Sequence, residues 1–138
     1  MADTLKLEIV TPETTIYSED VEMVTLPGSE GEAGIYPNHV PLMTRVQAGE
    51  IIVNRGGTEE VVAIGEGFAE ITGDHIAILT DNAANSADID EAAAEEAKAK
   101  AERRLEEGGD VTEEEAKALT QAILYSQAQL KAKRRKRG

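Results

Sequence analysis

The chain has 138 residues, a formal net charge of -13 and no cysteine, which excludes disulfides and thiolate metal sites and leaves room for one compact domain with an appendage. No window approaches about eighteen apolar residues, and the start Met1-Ala2-Asp3-Thr4 has neither an apolar signal core nor an arginine-rich presequence, so a soluble, unprocessed protein is expected. The four aromatics, Tyr17, Tyr36, Phe68 and Tyr125, are too few for a broad platform stacking single-stranded nucleic acid.

From residue 1 to about 84, short β-branched and aliphatic runs are broken at intervals by Gly, Pro, Asn or Asp, which predicts an all-β body. Leu5, Leu7 and Ile9 alternate with polar neighbours; Val21, Met23 and Thr25 are expected on one face, opposite Glu22, Val24 and Leu26. Ile51 to Val53 and Glu60 to Ile64 flank Arg55-Gly56-Gly57, a hairpin signal, as Phe68 to Ile71 and His75 to Thr80 flank Thr72-Gly73-Asp74. Such strands, read as successive hairpins, must cover one another's apolar faces, which favours a two-sheet sandwich, with a barrel as the alternative.

From Asp88 onward the composition turns to alanine, glutamate and lysine, and no proline follows Pro41, which predicts helices. The first is expected to start with Asp88 as N-cap and Glu91 three residues on, and to stop at Gly108-Gly109. The second opens on a capping box, Thr112 with Glu115, and a hydrophobic staple, Val111 with Ala116. So tight a turn predicts an antiparallel hairpin. Its seam, Ala94, Ala97, Ala101 and Leu105 against Ala116, Leu119, Ile123 and Leu130, is thin: a buried methyl is worth about 0.8 kcal/mol and a large aliphatic side chain about 1.5–3 kcal/mol. A hairpin that opens without melting its helices and a permanently docked helical cap both fit this pattern.

Charge divides the same region. Asp88 to Glu115 holds twelve acids and four bases, whereas Ala116 to Gly138 holds seven bases and no acid. A cationic arm on an anionic body implies a partner for the arm. Nucleic acid is disfavoured, because the acidic body repels phosphate everywhere but at the tail.

Catalytic patterns are missing. His39 and His75 belong to no ligand spacing and read as structural. Gly31, Gly34 and the stretch Gly65 to Gly67 lack the lysine and hydroxyl residue of a phosphate loop and read as turns and bulges. The carboxylates are unpatterned, so an enzyme acting alone is not supported.

The stretch Gly28-Ser-Glu-Gly-Glu-Ala-Gly-Ile-Tyr-Pro-Asn-His-Val-Pro-Leu42 strongly resembles the signature of the epsilon subunit of bacterial F-type ATP synthases. Val10-Thr-Pro12, Asp20-Val-Glu-Met-Val24, Gly67-Phe-Ala-Glu70 and Ala101-Glu-Arg-Arg-Leu105 fall in the family's order, so the resemblance runs essentially end to end. It implies a ten-stranded β-sandwich over residues 1–86 followed by a two-helix hairpin over 87–138, in a non-catalytic rotor subunit of the proton-translocating ATP synthase, bound to the gamma subunit and the ring of c subunits. By the same resemblance Glu32, supported by Ser29 and Glu30, faces the c ring, and His39 lies against gamma. Two positions depart from the common pattern: Ala33, often leucine, shrinks a local contact, and Asn38, often glycine, is the residue best able to take a positive φ in its place.

In this family the helices lie folded on the sandwich or extend along gamma into the alpha/beta head, where the extended form blocks ATP hydrolysis. The resemblance thus gives Lys131, Lys133, Arg134, Arg135, Lys136 and Arg137 a target in the acidic carboxy-terminal segment of a beta subunit, while the same charges stabilise the dipole-negative end of their own helix. Relatives that bind ATP carry Ile/Leu-Asp-x-x-Arg-Ala at the start of the first helix. Here Ile89 and Asp90 match, Ala93 replaces the arginine, and Lys100 adds only a point charge, so ATP binding is expected to be weak or absent and no cofactor is required. The implied location is the cytoplasmic face of a bacterial inner membrane, or a plastid stroma, held by partners.

Overall fold

A computed structural model describes residues 4–28, 31–38 and 41–137, with the side chains of Lys136 and Arg137 excluded. Among the described residues the strands are β1 (Leu5–Val10), β2 (Thr15–Val21), β3 (Met23–Gly28), β4 (Gly31–Ile35), β5 (Leu42–Val46), β6 (Gly49–Arg55), β7 (Thr58–Ile64), β8 (Gly67–Ile71), β9 (His75–Thr80) and β10 (Ala83–Asn85). A 3-10 turn, Ser86–Asp88, leads to the helices α1 (Glu91–Glu107) and α2 (Glu113–Arg137).

The strands form two five-stranded sheets, the first in the order β2-β1-β9-β8-β5 and the second β10-β7-β6-β3-β4. The glycine-bearing hairpins form where the local sequence demands them. Gly56 and Gly57 adopt φ of 58° and 79°, the two positive values a tight hairpin turn needs, and Arg55 pairs with Thr58 across them. Successive hairpins do not account for the whole body, however, because β1 inserts between β2 and β9 and runs parallel to β9.

The inner faces meet in one core. Leu5, Leu7, Ile9, Ile76 and Ile78 of the first sheet pack with Val24, Ile51, Val53, Val62 and Ile64 of the second. Val21, Met23 and Thr25 do not share one face, contrary to the expectation from alternation. Val21 is buried as the end of β2, whereas Val24 and Leu26, not Met23 and Thr25, are buried on β3. The chain passes from one sheet to the other at Glu22, and the phase of the alternation resets with it.

α2 covers the other side of the second sheet. Ala128 and Ala132 join Val61, Ala63 and Ile89 in a smaller apolar cluster, with Tyr125 and Ala84 at its margin. β6 and β7 are therefore buried on both faces, which explains why Ile51-Ile52-Val53 and Val61-Val62-Ala63-Ile64 are unbroken apolar runs.

The first helix starts later than expected. Asp90, not Asp88, is its N-cap, accepting the Ala93 backbone N–H at 3.1 Å, and Asp88 lies in the 3-10 turn. The delay follows from Ile89, which stays extended to bury itself under α2. The helix ends as expected at Gly108, with φ of 62° there and at Gly109. Thr112 Oγ1 accepts the Glu115 N–H at 3.0 Å, so the hydroxyl half of the capping box is present. The seam differs in part: Ala94, Ala101 and Leu130 are buried, but Ala97 is exposed, Leu105 is 36% exposed and Leu119 and Ile123 are half-buried. The deepest contacts of α2 are with the sheet, through small residues that permit close approach.

Candidate functional site

The basic end of α2 lies across the second sheet. Glu50 stands on β6 opposite Ala63, on the side that α2 covers, and its side chain is 4% exposed. Arg135 grips it from above: Nε donates to one carboxylate oxygen at 3.0 Å and Nη2 to the other at 3.3 Å, the forked pairing that suits guanidinium to carboxylate. Lys131 Nζ is 3.7 Å from the same carboxylate. The hydrogen bond and charge of Glu50 hold the Arg135 pKa above its usual range; Glu59 and Glu32 add to this while burial opposes it.

Two neighbouring cations tie the helix elsewhere. Lys133 Nζ donates to the carbonyls of Ser86 and Ala87 at 3.4 and 3.5 Å, holding the 3-10 turn. Arg134 donates to Glu91 at 3.0 Å and Glu95 at 2.6 Å, joining α2 to the start of α1. At the far end of the hairpin Arg104 bonds Glu115 at 3.2 Å and Asp110 at 3.4 Å across the turn. The hairpin is thus folded, with polar ties at both ends and an alanine seam between them.

The residues singled out from sequence fall in three places. Glu32 is exposed on β4, opposite Pro27 and on the α2 side of the second sheet, so it shares a face with Glu50 and Arg135. Ser29, Glu30 and His39 lie outside the described residues, as do the side chains of Lys136 and Arg137. Ile89 is 4% exposed beneath α2, Asp90 caps α1, and Ala93 and Lys100 are exposed. Ile89 and Asp90 therefore have structural work here without any ligand. A cleft of about 480 Å³ between the helices is lined by Lys98, Leu130, Lys131 and Arg134. Lys98, not Lys100, faces it; its spacing from Ala94 and Ala101 is the helical signal that places it there. No group of metal-ligating side chains occurs among the described residues, and His75 pairs with Glu8 at 2.7 Å on the outer face of the first sheet.

That outer face carries apolar side chains which alternation alone did not single out. Phe68 and Leu79 pair across β8 and β9, are 47% and 52% exposed, and line an open cleft of about 730 Å³ with Val10, Thr11 and Arg45. The Arg45 guanidinium lies 5.5 Å from the centre of the Phe68 ring. Met43, 64% exposed, continues this surface along β5. The available signal was an aliphatic or aromatic residue in the outward phase of a strand whose inward phase, Ala69 and Ile71 or Ile76 and Ile78, already supplied the core.

The beta-sandwich domain model of the ATP synthase delta/epsilon chain matches residues 4–86. The ATP synthase epsilon chain of Desulforamulus reducens is 42% identical over 109 residues, covering 79% of this chain and 83% of that one. The chain belongs to the ATP synthase epsilon-chain family. A second member, from Laribacter hongkongensis, is 41% identical over 131 residues, 94% of this chain and 92% of its own, so the likeness extends through the helices. Among solved structures, a chain of the Euglena gracilis mitochondrial ATP synthase in a complex of OSCP, F1 and c-ring superimposes with a TM-score of 0.72 at 21% identity, over 91% of this chain and 78% of that chain. A chain of the Tetrahymena thermophila mitochondrial ATP synthase central stalk and c-ring gives 0.58 at 11% identity, over 94% and 96%. Both show the fold. Of the two departures from the epsilon-chain pattern, Asn38 adopts the expected positive φ, 67°, and Ala33 is exposed. Among the described residues no helix is long and apolar enough to cross a membrane.

Proposed function

We propose that this epsilon chain is a non-catalytic subunit of the central stalk of an F-type, proton-translocating ATP synthase, in which the sandwich links gamma to the c ring and the helices restrain ATP hydrolysis. The observation that carries this is a sandwich matching the epsilon family, joined to a hairpin whose apolar contact is mostly alanine and whose basic end is held by ion pairs. Such a contact is weak enough to be exchanged for another. The domain boundary that fits this division lies at 86/87, after the last strand.

The partners follow from surface chemistry. Phe68, Leu79 and Met43 offer an apolar face suited to gamma, the partner that the loop motif also assigns to His39. Glu32, with Ser29 and Glu30, supplies a polar edge for the c ring. Pro27, Pro37 and Pro41 around them lower the ordering cost of binding. When the hairpin extends, Lys131 to Arg137 become free to meet the acidic carboxy-terminal region of a beta subunit in the alpha/beta head. Neither nucleic acid nor a bound cofactor has a role in this reading. The chain is held at the cytoplasmic face of the bacterial inner membrane by its partners.

Deleting residues 112–138 and assaying the assembled complex tests the regulatory half. ATP hydrolysis should rise; hydrolysis unchanged under conditions that populate the inhibited state would remove the inhibitory arm from the account. Co-purification with gamma tests the docking half, and its loss on replacing Phe68 and Leu79 by serine is the expected result.

A further inference from the structure

We propose that Glu50 is an electrostatic latch for the folded hairpin, closed by Arg135, and that the carboxylate expels α2 when that guanidinium is withdrawn. Glu50 is the one charged residue that is buried among the described residues, at 6% exposure, and its burial is imposed by α2. The apolar contact beside it is small, made by Ala128 and Ala132 against Val61, Ala63 and Ile89. A buried carboxylate held by a forked guanidinium is tolerated, whereas one left unpaired is strongly unfavourable. Opening the hairpin hydrates Glu50 on the sheet surface and removes that penalty. The pair is therefore asymmetric: loss of the cation drives opening, but loss of both partners leaves the alanine seam with nothing to expel it. Lys131, 71% exposed and 3.7 Å away, compensates only partly.

The absence of cysteine allows a single reporter. Ala128→Cys places a thiol on the sheet-facing side of α2, where the residue is 5% exposed, so its alkylation rate in the native full-length chain reads opening. Arg135→Ala should raise that rate roughly tenfold or more, as expected for an unpaired buried charge. Arg135→Ala combined with Glu50→Ala should return it to within about threefold of the parent, as should the swapped pair Glu50→Arg with Arg135→Glu. Protease cleavage in the 108–112 turn of chains without the reporter should give the same order, which guards against a reporter that disturbs the seam. A parental rate in Arg135→Ala, or a double variant as reactive as Arg135→Ala alone, would overturn the latch. The readout is conformational, so the latch and the inhibition of hydrolysis can fail separately.

Discussion

Tyr17 of β2 donates its phenolic hydrogen to Glu60 of β7 at 2.6 Å, joining the two sheets at the margin of the core. Arg55 lies 3.4 Å from the same carboxylate and 2.9 Å from Glu19. Burial first, then the hydrogen bond and charge of Glu60, push the Tyr17 pKa upward. The neutral phenol is thus favoured by folding. Its stabilisation is fully present below the unfolded tyrosine pKa of about 10 and is lost as pH rises above it. Tyr17→Phe should cost about 1.5 kcal/mol at neutral pH and flatten the alkaline decline. Urea unfolding at neutral pH and at several points above about pH 10 checks this; curves of variant and parent that fall in parallel would contradict it.

Gly67 begins β8 and pairs with Thr80 of the neighbouring strand β9. A Cβ at Gly67 would lie 2.1 Å from the Leu79 carbonyl oxygen, and the obstacle is backbone. Gly67→Ala should destabilise the sandwich by at least about 1–3 kcal/mol, the range for overpacking. A urea midpoint equal to the parent's would refute the close approach.

The two candidate caps can be separated. Asp90→Ala removes the acceptor for the Ala93 N–H and should cost about 1 kcal/mol of helix stability. Asp88→Ala should stay within about 0.5 kcal/mol. Thermal melts followed by the helical circular dichroism signal provide the comparison, and a larger effect at Asp88 would restore the earlier start.

Nucleotide affinity should be slight. Ala93 and Lys100 are exposed, Arg134 is engaged by Glu91 and Glu95, and Arg135 by Glu50. Calorimetric titration of the full chain with ATP should give no saturable heat in the micromolar range. Tight binding there would show that these cations are released to the ligand.

Local grammar made most elements readable. Glycines at 56, 57, 108 and 109 take backbone angles that other residues resist, and alanine-rich sequence propagates helix without tertiary help. The motif from Gly28 to Leu42, which includes β4, pointed to the family for a different reason: its run of specific residues carries a resemblance that hydrophobic periodicity does not. Other features could not be read locally. The phase of Met23 to Leu26 depended on the crossing between sheets, and the choice of Asp90 over Asp88 on where Ile89 found cover.

Glu50 shows the division most clearly. The sequence by itself determined two strand-rich sheets' worth of alternation, two alanine-lined helices and a cationic end, because turn chemistry, helix propensity and net charge act over a few residues. Only the tertiary structure decided that α2 lies on Val61 and Ala63 instead of against α1 alone, that Glu50 is buried there, and that Arg135 meets it from 85 residues away. Burial is a property of which surfaces cover one another. A carboxylate beside an apolar run has no buried partner until a distant helix is laid across it.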